Sequence, residues 1–331
     1  MIRIGPWEIP APSVLAPMAG VTDRPFRILC RQLGAGLAAS EMLTADQRLW
    51  SSTKSRQRMN HEGEPEPRVV QLAGNDPVQL ADAARANVDL GAQIIDINMG
   101  CPAKKVYGKL CGSALLGDEE LVARLLDAVV RAVPVPVTVK IRTGVDRQHR
   151  NGVAIAQRAV AAGVQAIAVH GRTREDFYEG EAEYDTIRDI CTAAGIPVFA
   201  NGDITSPEKA RDVLAYTGAD AVMIGRAAHG APWIFRDVNA FLATGSRPPP
   251  LLRTQIRDII LTHLEALYAF HGEGSGVRIA RKHIGWYCQH HTLTRTYRSS
   301  LMAAADSSAQ FALARECFDA WVDDGAGSDG A

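Results

Sequence analysis

The chain has 331 residues, 22% of them charged, with a formal net charge of −1. That length accommodates a barrel-sized domain plus a smaller module, and the near-neutral balance excludes a globally basic nucleic-acid binder, so any such surface must be local. No stretch approaches the roughly 18 apolar residues of a membrane span, residues 1–7 lack the basic-then-apolar pattern of a secretory signal, and the six cysteines are scattered without a Cys-x-x-Cys pair. Neither a disulfide framework nor a metal site is expected, and a reducing cytoplasm is the natural setting.

Eight apolar runs of strand length precede residue 230, at 14–16, 37–39, 69–72, 94–97, 137–141, 166–169, 198–200 and 221–224. Stretches with helical spacing separate most of them. Asp76-Pro77 and Ser206-Pro207 read as helix starts, a capping side chain followed by proline at the first helical position. Gly91, Gly163, Gly195 and Gly218 fall where helices should end. Alternation of this kind predicts a parallel (β/α)8 TIM barrel over residues 1–244. An open doubly wound sheet is the alternative, because periodicity does not report closure. Residues 231–243 read as a last barrel helix, and 245–250 (Gly-Ser-Arg-Pro-Pro-Pro) as a stiff linker. A helical domain is expected over 251–322, with helices near 251–271, 277–290 and 304–322, a break at 272–276, and a frayed polar tail at 323–331.

The ends of the runs read Pro17-Met18-Ala19-Gly20, Glu41, Gln71, Asn98-Met99-Gly100-Cys101, Lys140-Ile141-Arg142, His170-Gly171-Arg172, Asn201-Gly202-Asp203 and Gly225-Arg226, and most carry polar groups. In a barrel all eight carboxyl ends meet on the face that carries the site. Polar groups on the tips of apolar strands are costly unless they meet partners or ligands. Asn201 to Asp203 and Gly225-Arg226 follow the seventh and eighth runs, the usual phosphate position of barrels. Lys140 suits a Schiff base, a phosphate or the charged edge of a cofactor ring. His170 alone would read as a satisfied core histidine. Gln71 offers donors and an acceptor to a uracil-like ring edge, such as that of a flavin, and Lys140 would stabilise the charge such a ring develops on reduction.

Cys101 differs from Cys30, Cys191 and Cys317, which sit in helical patterns and read as small buried hydrophobes. Gly100 and Pro102 hold it on a turn at the barrel mouth. A free thiol titrates near ~8.5 and is mostly protonated at neutral pH, so it can act as an acid; nucleophilic catalysis is the rival role. Lys104, Lys105 and Lys109 follow and would either tune that thiol or contact a polyanion. No Gly-x-Gly-x-x-Gly follows a strand, so a nicotinamide nucleotide would not be held by a Rossmann unit. From Gly274 to Ala305 there is no Asp or Glu, while Arg278, Arg281, Lys282, Arg295 and Arg298 lie there with Trp286, Tyr287 and Tyr297 interleaved. That pattern suits a phosphate-backbone footprint as well as a solvated basic face.

Taken together, Ala16 to Asp23, Asp96 to Pro102, Lys140 to Arg142, His170 to Thr173 and Asn201 to Ile204 resemble the tRNA-dihydrouridine synthase family, and Arg278 to Tyr287 resembles its bacterial B subgroup. The resemblance runs from about residue 3 to 322. It implies an FMN-bound barrel with a helical tRNA-binding domain, reducing C5=C6 of a D-loop uridine at the expense of NADPH; the subgroup points to position 17. By this resemblance Pro17, Met18 and Ala19 line the flavin, Gln71 and Lys140 hold its ring edge beside His170, and Asn201, Gly202, Asp203, Gly225 and Arg226 hold its phosphate. Cys101 would donate the proton. Asn98 and Arg172 would hold the uracil, and Lys104, Arg278, Arg281 and Lys282 the tRNA. The partners expected are tRNA and NAD(P)H, the chain acting as a monomer without membrane or metal. A small-molecule flavin dehydrogenase and a non-catalytic RNA-binding barrel are the competing readings. The basic helical region speaks against the first and the intact set of strand-end groups against the second.

Overall fold

The chain opens with an antiparallel hairpin of β1 (Ile2–Ile4) and β2 (Trp7–Ile9). Strands of three residues carry too little periodicity to be predicted. Ile2, Ile4 and Ile9 pack against Val69, Ile94, Ala166 and Ala221, each the first residue of a barrel strand. The hairpin therefore plugs the amino end of the barrel and leaves the carboxyl end open. Gly5 is required in its turn: its φ is 57°, and a Cβ there would stand 2.4 Å from Pro136 Cγ.

This computed structural model describes residues 2–103, 111–289 and 294–326. They divide into one unit of Met1–Gly225 with Ile234–Ser246 and another of Arg226–Trp233 with Arg247–Ala331. Residues 226–233, expected within the barrel, thus group with the helical unit.

The first unit is the (β/α)8 barrel. Its strands are β3 (Ser13–Leu15), β4 (Leu43–Thr44), β5 (Val69–Ala73), β6 (Ile94–Met99), β7 (Val137–Arg142), β8 (Ala166–His170), β9 (Val198–Asn201) and β10 (Ala221–Ile224). They lie in the order β3-β10-β9-β8-β7-β6-β5-β4, every neighbouring pair parallel. Closure comes from residues 37–39, the expected second strand: parallel bridges join Leu15 to Ala38 and Ala39 to Val69. Leu15 N–H donates to Leu37 O at 2.8 Å and Ser40 N–H to Val69 O at 2.9 Å. The open-sheet alternative is excluded by these bonds.

Helices α1 (Arg24–Gln32), α2 (Thr53–Arg58), α3 (Pro77–Asp89), α4 (Glu119–Ala132), α5 (Gly152–Ala161), α6 (Asp185–Ala194), α7 (Pro207–Thr217) and α8 (Ile234–Thr244) accompany the strands. Asp76 and Ser206 cap α3 and α7 as expected, accepting from Gln79 N at 2.8 Å and Lys209 N at 3.1 Å. Gly91, Gly163, Gly195 and Gly218 all take positive φ at helix ends, the geometry that stops a helix at little steric cost. Asn239 of α8 accepts from Ser13 Oγ at 2.6 Å and donates to Gly34 O at 2.7 Å, fastening the last helix to the first barrel strand.

The second unit contains α9 (Arg253–His271), α10 (Glu273–Gln289), α11 (Thr294–Ala303) and α12 (Ser307–Ala326). Ile260, Leu264, Leu267, Ala280, Ile284, Tyr287, Leu301, Phe318 and Trp321 form its core. The break after α9 is Gly272 alone, with φ 73°, and α10 begins at Glu273 rather than near 277. Gly276 lies inside α10, where its missing side chain lets the two helices approach: a Cβ would be 3.0 Å from Tyr268 Cα. The glycine-rich stretch is thus a close helix contact, not a loop. α11 lies where the sequence pattern predicts no helix, and α12 runs into the stretch expected as tail. Among the described residues no helix is long and apolar enough to cross a membrane.

Candidate active site

The barrel's carboxyl end gathers Gln71, Asn98, Lys140, His170, Arg172 and Asn201, all buried. Buried polar groups left without partners cost about 1–3 kcal/mol each, so their pairing decides what each can do.

One chain of bonds begins at Asp96 in β6. Its carboxylate accepts from Thr138 Oγ1 at 2.7 Å and from Gln71 Nε2 at 2.7 Å. Burial raises the Asp96 carboxyl, while the Gln71 and Thr138 bonds and the Lys140 charge pull the other way. The Gln71 amide thus stands with its nitrogen towards Asp96. Gln71 Oε1 then accepts from Asn98 Nδ2 at 2.8 Å. Asn98 Oδ1 is thereby turned to the backbone, accepting from Cys101 N at 3.0 Å and Gly100 N at 3.3 Å. Asn98, expected to meet the substrate, caps the turn that carries Cys101.

That turn is held from every side. Cys101 O accepts from Ser113 N and Ser113 Oγ, both at 3.0 Å. Gly100 O accepts from Arg142 Nε at 2.8 Å. The backbone about Cys101 is fixed while its side chain stays partly exposed.

A second chain crosses the barrel mouth. Lys140 Nζ donates to Asn201 Oδ1 at 2.9 Å, and Asn201 Nδ2 donates to Met223 O at 2.8 Å. β7 and β9 are not neighbours. The reach passes β8 at Ala168, which pairs in register with both Lys140 and Phe199, and the small side chain leaves room for it. Burial lowers the Lys140 ammonium and the Arg142 charge lowers it further, while Asp96 and Cys101 oppose them, placing it at about 8.

Arg172 forms a two-point ion pair with Asp203, at 2.8 and 3.1 Å, and donates to the carbonyls of Glu179 and Gly180 at 3.0 and 2.6 Å. Its Nη1 also stands 3.3 Å from His170 Nε2. Expected at the uracil edge, this guanidinium is wholly engaged in holding the loop after β8. Asp203, expected at the phosphate, has its carboxylate on Arg172 and on Ala182 N at 2.8 Å. Gly202 must be glycine: its φ is 125°, and a Cβ would meet Ala182 Cβ at 2.6 Å and His170 Cδ2 at 3.2 Å.

Pro17 and Met18 are half-buried and Ala19 is exposed. Met18 N donates to Thr22 Oγ1 at 2.9 Å and Gly20 N to Glu41 Oε1 at 2.6 Å, which fixes the loop after β3. A Cβ on Gly225 would lie 3.6 Å from Met18 Sδ, so this loop borders the end of β10. Arg226 opens a short 3-10 turn, Arg226–Ala228, and is exposed. Lys104 lies outside the described residues. On α10, Arg278 and Lys282 are exposed and Arg281 half-buried, opposite a buried face of Val277, Ala280, Ile284 and Tyr287. Arg281 donates to Ala304 O at 3.2 Å.

Sequence reasoning assigned no role to Asp96, Ser113, Glu41 or Arg142. Asp96 and Arg142 carried a usable signal, since each is a charged residue within a fully buried strand. Ser113 carried none, because its contact with Cys101 spans twelve positions of chain.

Residues 14–322 match the family described as "Dihydrouridine synthase (Dus)". Over 318 residues the chain is 61% identical to "tRNA-dihydrouridine synthase B" of Pseudomonas aeruginosa, covering 96% of each. Over 321 residues it is 60% identical to the protein of the same name from Xanthomonas axonopodis pv. citri, covering 97% of each. Among solved structures, histamine dehydrogenase from Rhizobium sp. 4-9 shares the fold, with TM-score 0.54 and 14% identity over 80% of this chain and 50% of that one.

Proposed function

The chain belongs to the dihydrouridine synthase family, and from that premise we propose that it reduces the C5=C6 bond of uridine in tRNA, with FMN as bound cofactor and NADPH as reductant. The observation that carries the reading is the pairing of two groups at the barrel mouth. One is a partly exposed thiol on a backbone fixed by Asn98, Ser113 and Arg142. The other is a buried lysine whose hydrogen-bond partner is the neutral Asn201.

The donor set fits a flavin. Lys140 sits buried beside a neutral amide, an arrangement that suits a ring edge developing negative charge. Gln71 Nε2 has two hydrogens and gives one to Asp96. The turns after β9 and β10 occupy the phosphate position of barrels. Pro17, Met18 and Ala19 line the same rim. FMN held there would supply hydride chemistry at C6 of the uracil, with NADPH as its reductant.

The chain's own residues do the rest. Cys101 Sγ–H gives its proton to C5 on completion of the saturated bond, so that uridine, NADPH and a proton become dihydrouridine and NADP+. Asn98 holds the thiol's turn and acts as a positioning residue. Arg172, through Asp203 and His170, keeps the loop after β8 shaped against the site. The base must leave its stack to reach such a crater. Arg278, Arg281 and Lys282 on α10 bind the tRNA backbone while it does so.

The test is direct. Purified protein should be yellow and, with NADPH, should form dihydrouridine in tRNA taken from cells lacking the gene. A colourless protein that binds tRNA without altering it would refute the reading.

A further inference from the structure

We infer that Arg142 is a positioning residue that locks the Cys101 turn to the aromatic loop after β8; the catalytic meaning of that lock rests on the reading of Cys101 given above. Arg142 is 1% exposed. A buried guanidinium cannot shed its proton and must be met by acceptors. Its hydrogen bonds go to carbonyls: Nε to Gly100 O at 2.8 Å, Nη1 to Thr173 O at 2.8 Å and to Phe177 O at 2.7 Å. The rigid planar fork therefore spans two segments, the turn after β6 and the loop after β8.

The loop end of this link is unusual. Phe177 has φ 48°, a left-handed backbone that non-glycine residues adopt at a cost. It is held there with its carbonyl on Arg142. The Tyr178 ring lies 5.5 Å from the Arg142 guanidinium carbon and 6.2 Å from the His170 ring. Phe177 and Tyr178 are nevertheless 44% and 56% exposed. Two aromatic side chains thus face solvent from a strained loop, and one inflexible side chain joins that loop to the thiol's turn. A nucleobase stacked on those rings would act on the placement of Cys101 through Arg142, without touching it.

The test uses the purified full-length protein and needs neither tRNA nor reductant. Alkylation by iodoacetamide at one fixed pH is followed residue by residue by mass spectrometry. Cys191, half-buried in α6, is the internal control, and Cys30, fully buried, reports on the fold. Arg142→Lys keeps the charge but cannot span three carbonyls. Cys101 should then react about fivefold faster or more through freer opening of its turn, with Cys191 unchanged. Tyr178→Ala, at an exposed position, should give a smaller rise of about twofold through the loop. An unchanged Cys101 rate in folded Arg142→Lys overturns the inference. If that variant exposes Cys30, Tyr178→Ala decides, and an unchanged Cys101 rate there overturns it. Loss of the acid role for Cys101 would show separately, as activity surviving removal of the thiol.

Discussion

Asn98 Oδ1 accepts the backbone N–H of Cys101 at 3.0 Å while Asn98 Nδ2 donates to Gln71 Oε1 at 2.8 Å, so one amide couples a proposed cofactor ligand to the proposed acid. Asn98→Ala removes both bonds. Misplacement of a reacting group by about 1 Å can cost about 100-fold in rate. The tRNA-dependent step should fall about 10- to 100-fold, while NADPH reduces the bound flavin at the wild-type rate. Stopped-flow absorbance separates the two half-reactions.

Lys140, as the proposed partner of the flavin ring edge, should give cofactor binding a pH dependence. Burial, then the Arg142 charge, lowers its ammonium to about 8. Below that pH the lysine is charged; above it the charge is lost. Affinity for FMN should therefore fall as pH rises from 8 towards 9.5, approaching about tenfold per unit. Fluorescence titration of the cofactor-free protein measures this. Lys140→Met should bind more weakly at pH 7 and lose the pH dependence.

The helical unit carries an acid-sensitive pair. His229 stacks on Trp286 at 3.9 Å between ring centroids. Burial, then the charges of Arg226 and Lys282, lowers it to about 4. Burial, then the charge of His263, pushes His283 well below an ordinary histidine. Unfolded histidines titrate near ~6.5, so below that pH the unfolded state takes up protons that the folded state refuses. This contribution is intact above pH ~6.5 and is lost as pH falls towards 4. Thermal unfolding followed between pH 7 and 5 should show a falling midpoint. His229→Gln should make the slope shallower by up to one proton.

Arg278 and Lys282 stand exposed on one face of α10. If each neutralises a phosphate, changing both to Ala should weaken tRNA binding and reduce the slope of log affinity against log salt by about 0.9 per lost contact. Filter binding at several salt concentrations gives the slope, and an unaltered slope would assign this face to solvent.

The strands and their polar tips were readable because a parallel barrel buries both faces of each strand, leaving apolar runs that end abruptly in polar residues. Asp76-Pro77 and Ser206-Pro207 were readable because capping is local. What each tip contacts was not. The Arg172–Asp203 pair joins the loop after β8 to the loop after β9, and Lys140 reaches Asn201 past the small Ala168 of the intervening strand. Such pairings exist only once the barrel has closed, and neighbours in space need not be neighbours in sequence. Gly272 to Gly276 misled for a related reason: Gly276 serves a helix contact with Tyr268, a tertiary demand that resembles a loop when read locally.

Replacement of the proposed acid tests the central claim most directly. Cys101→Ala leaves the turn's backbone bonds to Asn98 and Ser113 available, so binding should survive. Dihydrouridine formed in tRNA by the variant is to be measured beside reduction of its flavin by NADPH. The account predicts normal flavin reduction with dihydrouridine formation nearly abolished. Undiminished dihydrouridine formation by Cys101→Ala would contradict it.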